Sequence, residues 1–184
     1  MNKMLAKKSL AILISGRGSN LSVFLQKKNK FKNLWVISNK ENAFGLEKAK
    51  RFSVKTSVLK NPVDWIELHS QLVEEGIDGI FLAGFMKILP PEFVEQWEEK
   101  MFNLHPSLLP DYKGLKSIER AYKDKKAIGV SIHKVTAAVD DGEVLLQEVA
   151  VKPKEMENMS LEDVELYTHI CEQKLIHQWI EKWV

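Results

Sequence analysis

The run Leu10-Ala11-Ile12-Leu13-Ile14, closed by Ser15-Gly16-Arg17-Gly18-Ser19-Asn20, restricts the fold more than any other stretch. A continuous apolar run of this length fits a strand buried on both faces, as in a parallel sheet. A helical pattern follows, with Leu21, Phe24 and Leu25 on one side. Strand, glycine turn and helix in that order open an α/β unit. The start of such a helix offers free N–H groups to an anion. Gly16 and Gly18 allow a close backbone approach, and Ser19 and Asn20 add a hydroxyl and an amide. There is no third glycine of a dinucleotide fingerprint, and the next strand, Leu34 to Asn39, ends without a carboxylate for a ribose. A Gly-Lys-Ser/Thr phosphate loop is also absent. The phosphate of a small mononucleotide therefore fits better than a dinucleotide or a triphosphate. The same residues also fit a plain tight turn with Ser19 or Asn20 as an N-cap, and spacing alone leaves both readings open.

Apolar runs and helical periods go on alternating. Strands are expected at Val54–Leu59, Ile77–Ala83, Phe102–His105, Ile128–Val135 and Val144–Val151. Helices are expected at Ala43–Phe52, Pro62–Glu75, Pro91–Lys100 and Leu115–Lys125, Pro62 lying in a first turn and Gly76 just past an end. Ser160 with Asp163 three residues on is a capping box in the broad sense. It opens a last helix running through Trp179 or beyond, with Leu161, Val164, Tyr167 or Thr168, Cys171, Leu175 and Trp179 as its buried stripe. The final two strands, joined by the Val139–Gly142 turn, should pair antiparallel at one edge. The fold class is α/β: a mostly parallel, twisted sheet with helices on both faces and an antiparallel edge.

With 184 residues the chain is long enough for one domain with a substantial core, and it shows no internal repeat or linker. A net charge of +2 argues against the electrostatic footprint of a nucleic-acid or membrane binder. No apolar run approaches the ~20 residues of a membrane span. Cys171 is the only cysteine, which excludes an internal disulfide and fits a reducing compartment. Residues 1–8, with three lysines, read as a short flexible leader. The apolar run after them is too short for a signal peptide and lacks its cleavage pattern. The chain is read as cytoplasmic, a monomer or homodimer acting on small molecules.

Chemistry concentrates in Phe102-Asn103-Leu104-His105-Pro106-Ser107-Leu108-Leu109-Pro110. Pro106 and Pro110 cannot donate ladder hydrogen bonds, so the chain should leave the sheet here. Side chains two apart on a strand share a face, which places Asn103 beside His105. An amide can donate to a developing oxyanion, and an imidazole can move protons near neutral pH. A buried strand end whose polar groups cap a turn fits these two residues equally well. Gly84 to Pro91 is too apolar for a solvated loop. It reads as a buried connection or as an apolar wall at a strand's carboxyl end. His133 reads as a satisfied strand histidine.

Taken together, these stretches resemble the folate-dependent phosphoribosylglycinamide formyltransferases of purine synthesis. The resemblance is carried by Ile14–Leu21, Ile37–Lys40 with Ala43–Leu46, Leu82–Leu89, Asn103–Pro110 with Lys113-Gly114, and Gly129–His133 continuing to Asp140-Asp141-Gly142, in family order over nearly the whole chain. It implies a Rossmann-like formyltransferase fold. It also implies transfer of a formyl group from 10-formyltetrahydrofolate, as co-substrate, to the amine of glycinamide ribonucleotide, with no metal. Asn103 would hold the oxyanion, His105 would shuttle the proton, and Asp140 would orient and charge the imidazole, with Asp141 as its rival by proximity. Gly18, Ser19 and Asn20 resemble the phosphate cradle. Gly84 and Pro106 resemble backbone contacts to the ribonucleotide, and Glu172 a helix carboxylate that holds it. Met86, Lys87, Ile88 and Leu89, with Asn103, Thr136, Ala137, Ala138, Val139 and Asp140, resemble the folate pocket.

The chain departs from that pattern in places. Lys134 stands where the family usually has an aromatic or apolar residue, and Ala137 where it often has an acidic one. Lys116 and Ile118 replace a common histidine pair. The Lys60–Trp65 segment is short and supplies no arginine for a folate glutamate tail. Two alternatives share the site. A formyltetrahydrofolate hydrolase would use the same three residues on water, and a non-catalytic phosphoribosyl- or folate-binding module would use none of them chemically. A methionyl-tRNA formyltransferase would need a basic RNA-binding domain.

Overall fold

The structure, a computed structural model, describes residues 6–184. Most of the expected leader, residues 1–5, lies outside the described residues. Seven strands form one sheet: β1 (Leu10–Ile14), β2 (Leu34–Ser38), β3 (Lys55–Val58), β4 (Gly79–Leu82), β5 (Met101–His105), β6 (Ile128–Lys134) and β7 (Val144–Val151). Their order is β3-β2-β1-β4-β5-β6-β7. β1 pairs in parallel with β2 on one side and β4 on the other, and all five of its residues are buried. That is the environment a continuous apolar run requires. β3 and β5 extend the parallel part, while β6 runs antiparallel to both β5 and β7. After β3 the chain returns past β1 to lay down β4, so strand order reverses between β1 and β4. Open α/β sheets bind ligands in the crevice outside the carboxyl ends at such a point.

The helices are α1 (Leu21–Gln26), α2 (Phe44–Arg51), α3 (Trp65–Glu74), α4 (Pro91–Gln96), α5 (Ser117–Lys123), α6 (Pro153–Met156) and α7 (Leu161–Trp183). Alternate residues of β1 divide between two cores. Leu10, Ile12 and Ile14 pack with α1, α2 and α7, while Ala11 and Leu13 pack with α3 and α4. α3 starts at Trp65 and not at Pro62. The Asp64 carboxylate accepts the Glu67 N–H at 2.9 Å, and this cap defines the first turn. α5 likewise starts late, because Lys116 sits in the left-handed region. α7 has the expected box, with Ser160 accepting from the Asp163 N–H and Asp163 Oδ2 from the Ser160 N–H. Its inward stripe uses Thr168, which is fully buried, and leaves Tyr167 exposed. Among the described residues no helix is long and apolar enough to cross a membrane.

Trp179 of α7 is the centre of the larger core. Its ring lies 4.8 Å from Phe81, 5.0 Å from Phe102 and 5.2 Å from a stacked Trp183. It thereby ties the last helix to β4 and β5, the strands that lead into the site. Trp179→Ala removes this contact and leaves a cavity under the sheet. The expected cost is ~3–5 kcal/mol, read as a lower guanidinium midpoint. A midpoint unchanged from wild type would show that α7 is not held through this ring.

Candidate active site

A serine joins the strand ends around the point of reversal. The Ser15 N–H donates to the Gly84 carbonyl at 3.2 Å. Ser15 Oγ accepts the Met86 N–H at 2.8 Å and donates to Asn39 Oδ1 at 2.6 Å. The glycine turn, the end of β2 and the Gly84–Leu89 segment are thus held together. Phe85 and Leu89 pack on the smaller core, while Met86 and Ile88 stay exposed, Ile88 at 83%. The two rival readings of this segment therefore divide by residue: half of it is a buried connection and half an apolar wall.

β5 delivers Asn103 and His105 to the carboxyl end of the sheet on one face. Asp140 reaches them from the loop after β6, in the left-handed region at φ 50. Aspartate tolerates that conformation better than most residues. Asp140 Oδ1 accepts from Asn103 Nδ2 at 3.2 Å, and Oδ2 accepts the Gly114 N–H at 2.9 Å and lies 3.3 Å from His105 Nδ1. Gly142 makes this loop possible. A Cβ there would sit 1.9 Å from the Lys134 carbonyl oxygen, so no other residue closes the turn. Asp141 points elsewhere and pairs with Lys113. The loop residues Thr136, Ala137, Ala138 and Val139 are all exposed, and Lys87 is half-buried.

Both nitrogens of His105 face oxygens, Nδ1 towards Asp140 and Nε2 towards the Tyr112 carbonyl at 3.0 Å. Burial alone would raise the Asp140 carboxyl. A hydrogen bond from His133, another from the Gly114 N–H, and the positive charges of His105 and His133 outweigh it, and bring the group from 3.8 to about 2. His133 is a buried strand histidine with both ring nitrogens partnered, as its sequence reading has it, and two of its neighbours are Asn103 and Asp140. Its Nδ1 donates to the Lys134 carbonyl at 2.7 Å. In the neutral ring Nε2 then accepts from Asn103 Nδ2, 3.1 Å away. When protonated, it faces Asp140 Oδ1 at 3.5 Å. The signal that would have found His133 is register, since the β5–β6 ladder sets it directly opposite Asn103.

A second cluster forms around the glycine turn. Asn20 occupies the N-cap position of α1 without making a cap hydrogen bond. Its Nδ2 donates instead to Glu172 Oε2 at 3.0 Å, and its Oδ1 is buried without a partner. The plain N-cap reading of Asn20 is thus not the one the side chain follows. Glu172 Oε2 also pairs with His169 Nδ1 at 2.8 Å, which raises the histidine above its ordinary value. Lys48, another residue missed in the sequence, places Nζ 3.2 Å from the Gly18 carbonyl. Gly18 has φ 65, and a Cβ on it would lie 2.8 Å from Gly45 Cα. Pro106 lies just beyond β5, with its carbonyl accepting from Ser117 Oγ at 2.9 Å.

Residues 8–180 match formyl transferase. The chain belongs to the formyl transferase family. Phosphoribosylglycinamide formyltransferase of Haemophilus influenzae is 36% identical over 188 residues, covering 96% of this formyl transferase and 86% of the relative. The crystal structure of phosphoribosylglycinamide formyltransferase from Campylobacter jejuni superposes with a TM-score of 0.81 at 34% identity, covering 95% of this chain and 96% of that one. The trifunctional purine biosynthetic protein adenosine-3 of Homo sapiens is 39% identical over 175 residues, covering 89% of this chain. The chain spans only 17% of that relative and 13% of its counterpart from Chironomus tentans.

Proposed function

We propose that this formyl transferase is a phosphoribosylglycinamide formyltransferase, moving the formyl group of 10-formyltetrahydrofolate to the amine of glycinamide ribonucleotide. The observation that carries the reading is one carboxylate, Asp140, joined to an amide and facing an imidazole at the carboxyl ends of the sheet. The named relatives support the choice of substrates. The amine nitrogen attacks the formyl carbon, the carbonyl oxygen becomes an oxyanion, and the bond to the folate nitrogen breaks. Asn103 Nδ2 donates to the oxyanion. His105 Nε2 stays on the Tyr112 carbonyl, so Nδ1 gives its proton to the leaving nitrogen and takes the one the attacking amine loses. Asp140 orients that ring and stabilises it while it carries the extra proton. The Met86–Leu89 wall, with Met86 and Ile88 exposed, and the Thr136–Asp140 loop take the folate, with apolar side chains against its ring system. The single cysteine fits a cytoplasmic setting.

The ribonucleotide phosphate is assigned to Gly18, Ser19 and Asn20, with Lys48 supplying a cation beside the turn. Glu172, already accepting from Asn20 and His169, has a second oxygen for a sugar hydroxyl. Gly84 and Pro106 offer backbone to the same substrate. Gly18→Val strains a left-handed position, at ~1–3 kcal/mol, and drives a side chain into Gly45. Ribonucleotide affinity should fall at least about tenfold while folate affinity holds, because the folate wall is tied to Ser15 and not to Gly18. Calorimetry with each ligand separates the two, and an equal loss of both would make the turn merely structural.

The direct test mixes purified protein with 10-formyltetrahydrofolate, with and without glycinamide ribonucleotide. Tetrahydrofolate released only with the amine is the expected result. Release without it would make the protein a hydrolase, and no release in either case would leave a binding module.

A further inference from the structure

The segment Asp111–Lys116 touches both members of the charged pair through its backbone. The Tyr112 carbonyl accepts from His105 Nε2, and the Gly114 N–H donates to Asp140 Oδ2. Its conformation is intrinsically uphill. Tyr112, Gly114 and Lys116 all lie at positive φ (54, 76 and 57), and each non-glycine residue there costs roughly 1–2 kcal/mol. Something outside the segment must hold it. Arg120 donates to the Lys113 carbonyl and Tyr112 Oη to Asp124, but both partners belong to α5 and its end. Of the segment's side chains, only Lys113 reaches across to the loop that carries Asp140, where it pairs with Asp141.

We propose that Lys113 and Asp141 are positioning residues for formyl transfer: their ion pair locks the two loops in register and so sets His105 against Asp140. The kinetic part of this inference rests on the function proposed above. The pair acts in two ways. It fixes the Gly114 N–H on Asp140 Oδ2, one of the contacts that keep that carboxylate ionised. It also occupies the neighbouring carboxylate, so that two adjacent aspartates present one free charge to the imidazole and not two. Lys113 holds the Asp141 carboxyl below its usual range.

An exposed ion pair is screened by solvent and contributes little, which sets the scale of the test. Lys113→Ala and Asp141→Asn should each lower kcat about fivefold, with KM for the ribonucleotide changed by less than about twofold. The double variant should be no slower than the slower single one, because the two act through one contact. The exchanged pair Lys113→Asp with Asp141→Lys should recover most of the rate. Amide hydrogen exchange at Gly114 gives a readout that needs no turnover: each single variant should lose protection and the exchanged pair should regain it. Wild-type exchange at Gly114 in Lys113→Ala would overturn the proposal, as would additive losses in the double variant. A wild-type protein that fails to transfer formyl to the ribonucleotide would end the functional reading alone, and the exchange measurement would still decide on the lock.

Discussion

Asp140→Asn should fold and lose most of its turnover. Asparagine tolerates the left-handed backbone that Asp140 adopts, and its amide oxygen can still accept the Gly114 N–H. The variant loses the charge opposite His105 Nδ1, and with it the group that orients the ring and stabilises it while it carries the proton. Removing such a partner from a general acid–base pair costs ~10²–10⁴ in rate, most of it in kcat. The same substitution has a signature in stability. The Asp140 carboxyl is lowered in the folded chain from 3.8 to about 2. A lowered value stabilises the folded state above the unfolded value, and that contribution fades as pH falls from one value to the other. Wild type should therefore exceed the variant in stability above pH ~4, and the gap should close towards pH ~2. Denaturant midpoints across that range measure it. A fully active Asp140→Asn beside a dead Asp141→Asn would move the role to the neighbouring residue.

The parts of this fold that were legible share one property: each rests on a local period. Leu10–Ile14 reads as a buried strand because five apolar residues in a row suit only a strand covered on both faces. The alternation after Ile128 predicted an antiparallel pair, and β6 and β7 form it. Element ends were less legible, because caps compete locally. Pro62 suits a first turn, yet the Asp64 carboxylate offers an acceptor to one of the free N–H groups of the first turn, and α3 begins after it.

The candidate site divides along the same line. Asn103 and His105 were legible together because two residues on one strand face need no tertiary knowledge. His133 was not, since its place opposite Asn103 depends on a ladder register that no single strand contains. Tyr112 and Gly114 act through backbone atoms in left-handed conformations, and Tyr112 in particular gives no sign of that in its side chain. Spacing left Asn20 between a phosphate contact and a helix cap, and only the docking of α7 brings Glu172 within reach of its amide. Long-range packing, invisible to a reading by periods, thus supplies every partner the sequence reading lacked.

His105→Ala should be the most damaging single change. The imidazole is buried, at 6% exposure, and among the described residues it is the one side chain that meets both Asp140 and the Tyr112 carbonyl. Its removal leaves Asp140 with Asn103, His133 and the Gly114 N–H but without its nearest cation, so that the carboxylate faces an empty space. Two losses then combine: the proton has no carrier between amine and leaving nitrogen, and the oxyanion loses a nearby positive charge. Each is worth ~10²–10³ in rate, and because they act as a unit the sum is not additive. A fall in kcat of ~10³ or more is expected, with ribonucleotide affinity retained, since Gly18–Asn20, Lys48 and Glu172 stand apart from the ring. His105→Gln separates the two effects, because a neutral amide can donate a hydrogen bond but cannot carry the proton. It should therefore keep a donor to the Tyr112 carbonyl and recover almost none of the rate. Wild-type turnover in His105→Ala would place the proton transfer on another group, and His133 would be the first to examine, being the other imidazole within reach of Asp140.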